Sequence, residues 1–168
     1  HFAFSRDTNY LSRVLPILRA SAEFSVDWLV EDPKSKKLVA GPATSPENTF
    51  ITADGQKASL CMGPSMEQEI IWDAFNNYLE ASRILGVNEP TVAEVERAKA
   101  RLQLPQIGSD GRLMEWSEEF KEAEPGHRHT SHLFALHPGR QITLTGTPEL
   151  AAGARKSLEK RLASGGGH

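Results

Sequence analysis

The chain has 168 residues, enough for one domain with a buried core, of which 39% are hydrophobic and 24% charged. Its formal net charge is -3 and no Lys/Arg stripe alternates with aromatic residues, so we expect no nucleic-acid partner. Apolar runs fall far short of the roughly 20 residues that cross a bilayer, which predicts no membrane insertion. A single cysteine, Cys61, excludes an internal disulfide.

Hydrophobic spacing predicts four amphipathic helices. The first follows Asp7 as N-cap and runs to about Val30. Pro16 either kinks this helix or marks the first turn of its regular part. The inward stripe consists of Leu11, Val14, Leu15, Leu18, Ala22, Val26 and Leu29.

The second helix begins at Ser65, which has the spacing of a capping box with Gln68, and it ends at Gly86. The third begins at Thr91, with a glutamate three residues later in the same pattern, and stops before Pro105. The predicted buried residues of the second helix are Ile71, Ala74, Phe75, Tyr78, Leu79, Ser82 and Leu85, and those of the third are Val92, Val95, Ala98 and Leu102.

The last predicted helix starts at 147–149, where Thr-Pro-Glu combines a cap with proline in the first turn, and it ends at the glycines from Gly165. Its inward residues are predicted to be Leu150, Ala151, Ala154, Leu158 and Leu162.

Two unusually long connections join these helices, over 31–64 and 105–146. Connections of this length in a compact domain are usually functional or disordered, and the aromatic residues and histidines within them argue against disorder. Short strands are expected near 112–116 and 141–145.

The segment Ser45-Pro46-Glu47-Asn48 lies in the first connection. Pro46 has a locked φ and biases Ser45 toward extended conformations, so Glu47 is held in a stiff turn. A general acid needs such a fixed carboxyl group. The same residues also fit the start of a helix, with serine as cap and glutamate in the first turn, and spacing alone favours this second interpretation.

In the second connection, Glu115 and Trp116 place a carboxylate beside an aromatic ring. In sugar-binding sites the ring stacks on the C–H face of the sugar, while the acid accepts hydrogen bonds from hydroxyl groups. The alternative is a buried tryptophan that anchors the loop, with the glutamate exposed.

Four of the six histidines lie within eleven positions, at His127, His129, His132 and His137. A metal site formed by the first three is one interpretation, although the spacings of zinc hydrolases are absent. Arg128, between two histidines, favours another: a dense set of donors and acceptors that holds hydroxyl groups or orients an acid. In a third interpretation these side chains only satisfy loop carbonyl groups.

Several motifs occur in one order along the chain, namely SPEN, GPSM at the start of the second helix, QIG, EW, HRHTSHL, HPG and TPEL. Their order and spacing resemble the catalytic domain of glycoside hydrolase family 95, the inverting α-L-fucosidases. The resemblance covers essentially the whole chain. The terminal glycines 165–167 are similar to the start of a glycine-tryptophan segment of that family.

The resemblance implies a mainly α fold that forms a fragment of an (α/α)6 barrel with long loops. Residues 1–168 are then part of one glycosidase catalytic domain, with both ends truncated. By the same resemblance Glu47 matches the general acid that protonates the departing glycosidic oxygen. Arg128 and His129 match residues that line the fucose pocket, and Glu115 is assigned to that pocket as well.

The activity implied by the resemblance is removal of terminal, 1,2-linked α-L-fucose from a fucosylated oligosaccharide or glycan with inversion. The family's catalytic base is an aspartate in a C-terminal segment, and an upstream Asn-x-Asn pair orients the attacking water. Neither segment is present in this chain, which we therefore expect to be inactive alone.

No metal or organic cofactor is expected, since two carboxyl groups and a water supply the chemistry. The resemblance also implies a periplasmic or extracellular location. Two alternatives stay open: an α-L-galactosidase of the same family, and a non-catalytic helical fragment that binds carbohydrate or acts as a scaffold.

Overall fold

A computed structural model of the protein describes residues 1–166, so Gly167 of the predicted glycine segment lies outside the described residues. The fold is mainly α, as predicted. Its helices are α1 (Phe2–Ser5), α2 (Thr8–Trp28), α3 (Ser65–Leu85), α4 (Pro90–Arg101), α5 (Pro148–Ala163) and one 3-10 turn (Ser131–Leu133).

Short antiparallel strands of two residues each occupy the two long connections. They are β1 (Val30–Glu31), β2 (Leu38–Val39), β3 (Ala43–Thr44), β4 (Phe50–Ile51), β5 (Lys57–Ala58), β6 (Leu60–Cys61) and β7 (Lys121–Glu122). β1 pairs with β2, β3 with β6, and β4 lies between β5 and β7. The β4–β7 pairing joins the first long connection to the second.

The prediction of strands at 112–116 and 141–145 is wrong. Leu113 forms only an isolated bridge with Ile107. The amide of Ile142 donates to the Ala135 carbonyl at 2.9 Å, a single loop contact and not part of a ladder. Partners elsewhere in the loops satisfy these backbone groups one at a time, so no regular strand forms.

The predicted first helix is confirmed as α2. The Asp7 carboxylate accepts from the amides of Asn9 at 2.9 Å and Tyr10 at 3.0 Å, which is the expected N-cap. Pro16 lies inside the helix. The short α1 that precedes α2 was not predicted.

The capping boxes predicted for α3 and α4 are wrong, although both helices begin within a residue of the expected positions. Their N-caps are Pro64 and Glu89, and neither makes a side-chain cap. Ser65 donates to the Met114 carbonyl instead. Gln68 is buried, and its amide oxygen accepts from the backbone of Ala40 at 2.7 Å. Tertiary partners therefore displace the local cap.

Helix α5 follows Thr147 as its N-cap residue, has proline in its first turn and ends before Gly165, as predicted. Its inward face differs from the expected one, because Leu158 and Leu162 are 42% and 62% exposed. The buried residues are small or polar, namely Ala151, Gly153, Ala154, Ser157 and Arg161.

Two hydrophobic clusters hold these elements together. The larger lies between α2, α3 and α4 and contains Ala22, Ala40, Ile71, Phe75, Tyr78, Val95, Ala98 and Leu102. The smaller attaches α5 to the second long connection and contains Leu113, Leu133, Ala135, Ile142, Ala151 and Ala154. The loop segments thus pack against helices at both ends, which gives them defined positions. No helix within residues 1–166 has the length and apolar character needed to span a bilayer.

Truncation of the fully buried Phe75 tests the larger cluster. We expect Phe75→Ala in the full-length protein to lower the free energy of unfolding by about 3–5 kcal/mol, because it removes apolar contacts and leaves a cavity. Denaturant unfolding measures the change. The matched control Glu94→Ala, at an exposed position of α4, should stay within about 0.5 kcal/mol of the parent. Equal values for the two variants would contradict this description of the core.

Candidate active site

The Ser45-Pro46-Glu47-Asn48 segment forms a turn between β3 and β4. The Asn48 amide donates to the Ser45 carbonyl at 2.7 Å. Ser45 and Asn48 are 0% and 1% exposed, whereas the Glu47 side chain is 66% exposed. The helix-start interpretation is therefore wrong, because these residues close a turn whose two ends are buried and whose carboxyl group faces outward.

The Glu115 carboxylate lies beneath this turn and accepts three hydrogen bonds. Ser45 Oγ donates to its Oε1 at 2.7 Å, and Asn48 Nδ2 donates to its Oε2 at 3.2 Å. Arg161 of α5 donates to Oε2 at 2.9 Å. Both partners of the Glu115–Arg161 ion pair are about 95% buried, with side-chain exposures of 5% and 4%. The turn is thus tied through one carboxylate to the last helix.

Trp116 is buried, as in the loop-anchor alternative. Its ring packs edge-on against Phe50 of β4 at a centroid distance of 5.5 Å, and Phe120 stacks on Phe50 at 4.2 Å. The accompanying expectation that Glu115 is exposed is wrong, because Glu115 is buried and forms an ion pair with Arg161 in the protein interior. The assignment of Glu115 to a sugar pocket stays a prediction.

The HRHTSH segment lies against the Glu47 turn. Ser131 donates to the Pro46 carbonyl. Arg128 forms an ion pair with Glu47, and His129 Nε2 lies 4.0 Å from the same Glu47 oxygen. The structure therefore brings together three of the predicted site residues, Glu47, Arg128 and His129, although Glu47 is about 80 positions from the other two in the chain.

The other two histidines of HRHTSH are buried. His127 Nδ1 accepts from the amide of His129 at 3.1 Å, which shapes the loop. His132 Nδ1 lies 3.5 Å from Glu115, and burial lowers the pKa of His132, so its imidazole is neutral at physiological pH. Among residues 1–166 no group of three His, Cys, Asp or Glu side chains is placed so that it could hold a metal ion.

Glu47 and His129 border an open depression of about 360 Å³. The polar residues on its rim include Thr130, Ser131 and His137, and its apolar wall is formed by Pro46, Met66, Phe134 and Pro138. A mixed lining of this kind suits a sugar, which presents hydroxyl groups on its edges and C–H groups on its faces.

A second depression, of about 210 Å³, has Glu115 in its lining. It is lined by several acidic residues, among them Glu118, Glu119 and Glu122, and includes neither Glu47 nor Arg128. Of the predicted site residues, Glu47 and His129 border the first depression and Glu115 borders the second. Arg128 lines neither and lies beside the first through its ion pair with Glu47.

Glu69 of α3 supports the apolar wall from below. Its Oε2 accepts from the amide of Ala135 at 2.9 Å, and this residue directly follows Phe134. Burial raises the pKa of Glu69 from 4.5 to about 8, and the Ala135 hydrogen bond offsets only part of that rise. Glu69 is therefore mainly protonated at neutral pH.

Sequence reasoning did not predict the supporting role of four buried polar residues, namely Arg161, Asn48, Ser45 and Glu69. One signal was available for Arg161. It follows Ala154 and Ser157 on one face of α5, where a charged residue in line with small ones suggests a buried partner. Its partner Glu115 is 46 positions away, so pairing required the tertiary structure.

A glutamate on a fixed turn, beside a guanidinium and an imidazole at the edge of a depression with mixed polar and apolar lining, is the type of site found in glycoside hydrolases. The chain belongs to this class: it is a member of glycosyl hydrolase family 95, whose catalytic domain matches residues 1–168.

Two curated relatives are similar to the chain. "Alpha-L-fucosidase 2" of Arabidopsis thaliana is 37% identical over 169 residues, which cover 99% of this chain and 20% of the relative. "Probable alpha-fucosidase A" of Aspergillus niger (strain ATCC MYA-4892 / CBS 513.88 / FGSC A1513) is 30% identical over 149 residues, covering 85% of this chain and 18% of the relative. The chain thus spans about a fifth of the length of these relatives.

The raised pKa of Glu69 predicts a pH dependence of stability. Between pH 4.5 and about 8 the folded protein retains a proton that the unfolded chain has lost, so this group lowers stability as the pH rises. We expect the free energy of unfolding of Glu69→Gln, relative to the parent, to increase by about 1 kcal/mol or more from about pH 5 to about pH 8.

Denaturant unfolding of the full-length protein at both pH values checks this prediction. The control Glu67→Gln, two positions earlier on α3, should change stability equally at both. A stability difference for Glu69→Gln that does not vary with pH would contradict the protonated state assigned to Glu69.

Proposed function

We propose that this chain is part of an α-L-fucosidase in which Glu47 is the general acid. One observation carries the proposal: the exposed Glu47 carboxyl group is held on a buried turn at the edge of a depression, beside Arg128 and His129. Family membership and the printed names of the two relatives support a fucose-releasing hydrolase with a fucosylated glycan as substrate.

In the proposed inverting reaction, the bond between the anomeric carbon and the glycosidic oxygen breaks as Glu47 transfers its proton to that oxygen. A water attacks the anomeric carbon from the opposite face and loses a proton to a second carboxylate. The family resemblance assigns this base, and the Asn-x-Asn pair that orients the water, to parts of the longer protein that this chain does not include.

Arg128 has a particular place in this scheme. Its ion pair occupies the Glu47 carboxyl group, which a general acid must present to the glycosidic oxygen. Both side chains are more than half exposed, so they can move without disturbing the buried ends of the turn. A sugar whose hydroxyl groups accept hydrogen bonds from Arg128 would draw it away from Glu47 and leave the carboxyl group free to face the glycosidic oxygen.

The apolar wall favours fucose over L-galactose as the preferred sugar. L-Fucose carries a methyl group where L-galactose carries a hydroxymethyl group, and Met66 and Phe134 offer apolar contact to a methyl group. Such a pocket discriminates weakly against an added hydroxyl group, so residual L-galactosidase activity is consistent with the proposal. The 1,2-linkage rests on the family resemblance.

We also propose that residues 1–168 belong to one (α/α)6 barrel domain completed by further helices. Support comes from family membership and from exposed apolar side chains on α2 and α5, among them Ile17, Phe24 and Leu162, which offer surfaces for additional helices. The periplasmic or extracellular location stays a prediction from the resemblance.

Substitution of the proposed acid is the direct test. We expect Glu47→Gln in the full-length enzyme to lower kcat on a fucosyl-lactose by about 10²- to 10⁴-fold, because the leaving group is no longer protonated. The melting temperature should not fall, since the Glu47 side chain is exposed. The control Glu149→Gln, at an exposed position of α5, should keep full activity. Turnover by Glu47→Gln near the parent value would remove Glu47 from this role.

The stereochemistry of the first product tests the inverting mechanism. Single displacement at an α-fucoside releases β-L-fucose, which then mutarotates to the equilibrium mixture. Proton NMR spectra recorded in the first minutes of the reaction should show the β-anomer before the α-anomer. Initial appearance of α-L-fucose would indicate a double displacement and contradict the proposed mechanism.

A further inference from the structure

The buried polar residues beneath the Glu47 turn form one connected network. Ser45 and Asn48, on either side of Glu47, both donate to Glu115, and Arg161 donates to the same carboxylate. Arg161 also lies 3.4 Å from Glu122 Oε2 and donates to the Glu124 carbonyl at 3.4 Å. The turn is therefore connected through Glu115 to α5 and to the segment around β7.

A network of this kind is costly to build into a protein interior. A buried carboxylate and a buried guanidinium each lose solvation, and their attraction repays that loss only when further hydrogen bonds satisfy the remaining atoms. Two of those further bonds come from the turn itself, through Ser45 and Asn48. The ion pair and the turn geometry thus depend on each other.

We propose that Glu115 is a positioning residue for the general acid, and that with Arg161 it holds the turn at the place from which the Glu47 carboxyl group reaches the glycosidic oxygen. This inference rests on the proposed role of Glu47. The exposed side chain of Glu47 has few contacts of its own, so its position follows from the backbone of residues 45–48. Proton transfer is sensitive to such placement, since shifts of about 1 Å can cost about 100-fold in rate.

The proposal differs from a merely structural role in its dependence on the leaving group. In a fucoside of a strongly acidic phenol, such as 2,4-dinitrophenol, the phenolate leaves without help from an acid. A sugar leaving group must instead be protonated. Misplacement of the acid therefore slows hydrolysis of fucosyl-lactose and spares the dinitrophenyl fucoside. A general loss of folded or correctly packed enzyme slows both equally.

The experiment compares kcat on both substrates for variants of the full-length enzyme. Ser45→Ala removes one tie to Glu115 and keeps the Glu115–Arg161 ion pair, and Glu115→Gln removes the charge. We expect Ser45→Ala to lower kcat on fucosyl-lactose by about 10-fold and Glu115→Gln by about 100-fold. Each should change kcat on the dinitrophenyl fucoside by less than about 3-fold. The matched control Ser25→Ala removes a buried hydroxyl group within α2 and should change neither substrate.

Glu47→Gln serves as the reference in the same measurements. Suppose that Glu47→Gln loses activity on fucosyl-lactose alone. If Ser45→Ala then loses no activity, or loses activity on both substrates equally, the positioning role is overturned and the acid assignment stands. If Glu47→Gln itself shows no dependence on the leaving group, both proposals fall. Ser45→Ala decides the question even where Glu115→Gln does not fold, because it leaves the buried charges paired.

Discussion

The buried carboxylate of Glu115 is the interaction on which the arrangement of the site depends. It accepts hydrogen bonds from Ser45, Asn48 and Arg161, so three segments that are far apart in the chain meet at two oxygen atoms. Removal of Arg161 would leave the buried charge of Glu115 without its counter-ion, which typically costs about 3–5 kcal/mol. The 45–48 turn, the loop at Glu115 and helix α5 are therefore held in place by their shared hydrogen bonds.

This buried pairing allows a clear separation between support and chemistry. The groups with a proposed chemical role, Glu47, Arg128 and His129, carry exposed side chains, and Glu47 and His129 border the depression. The groups that hold them in place already have partners: the buried His127 accepts from the backbone of His129, and the half-buried Ser131 donates to the carbonyl of Pro46. Reactive side chains can thus exchange partners with a sugar while the backbone beneath them stays fixed.

Sequence reasoning identified the helices well and their local details less well. Asp7 caps α2 and Gly86 ends α3, because these signals act through neighbouring backbone groups and need no distant partner. Ser65 also has the spacing of a cap, yet its hydroxyl group binds the carbonyl of Met114, 49 positions away. Likewise, Leu158 suits an apolar stripe, but α5 turns its small and polar face inward toward Glu115 and the second connection.

The sequence by itself determined the mainly α character, the two long ordered connections and, through the order of its motifs, the family. Through the same resemblance it also named Glu47, Arg128 and His129, for which spacing alone left other interpretations open. Only the tertiary structure decided that these three residues meet, that Trp116 is buried and that Glu115 supports the turn. The physical reason is that a buried charge is tolerated only beside its partners, and a linear pattern of residues does not contain the identity of partners 46 to 70 positions away.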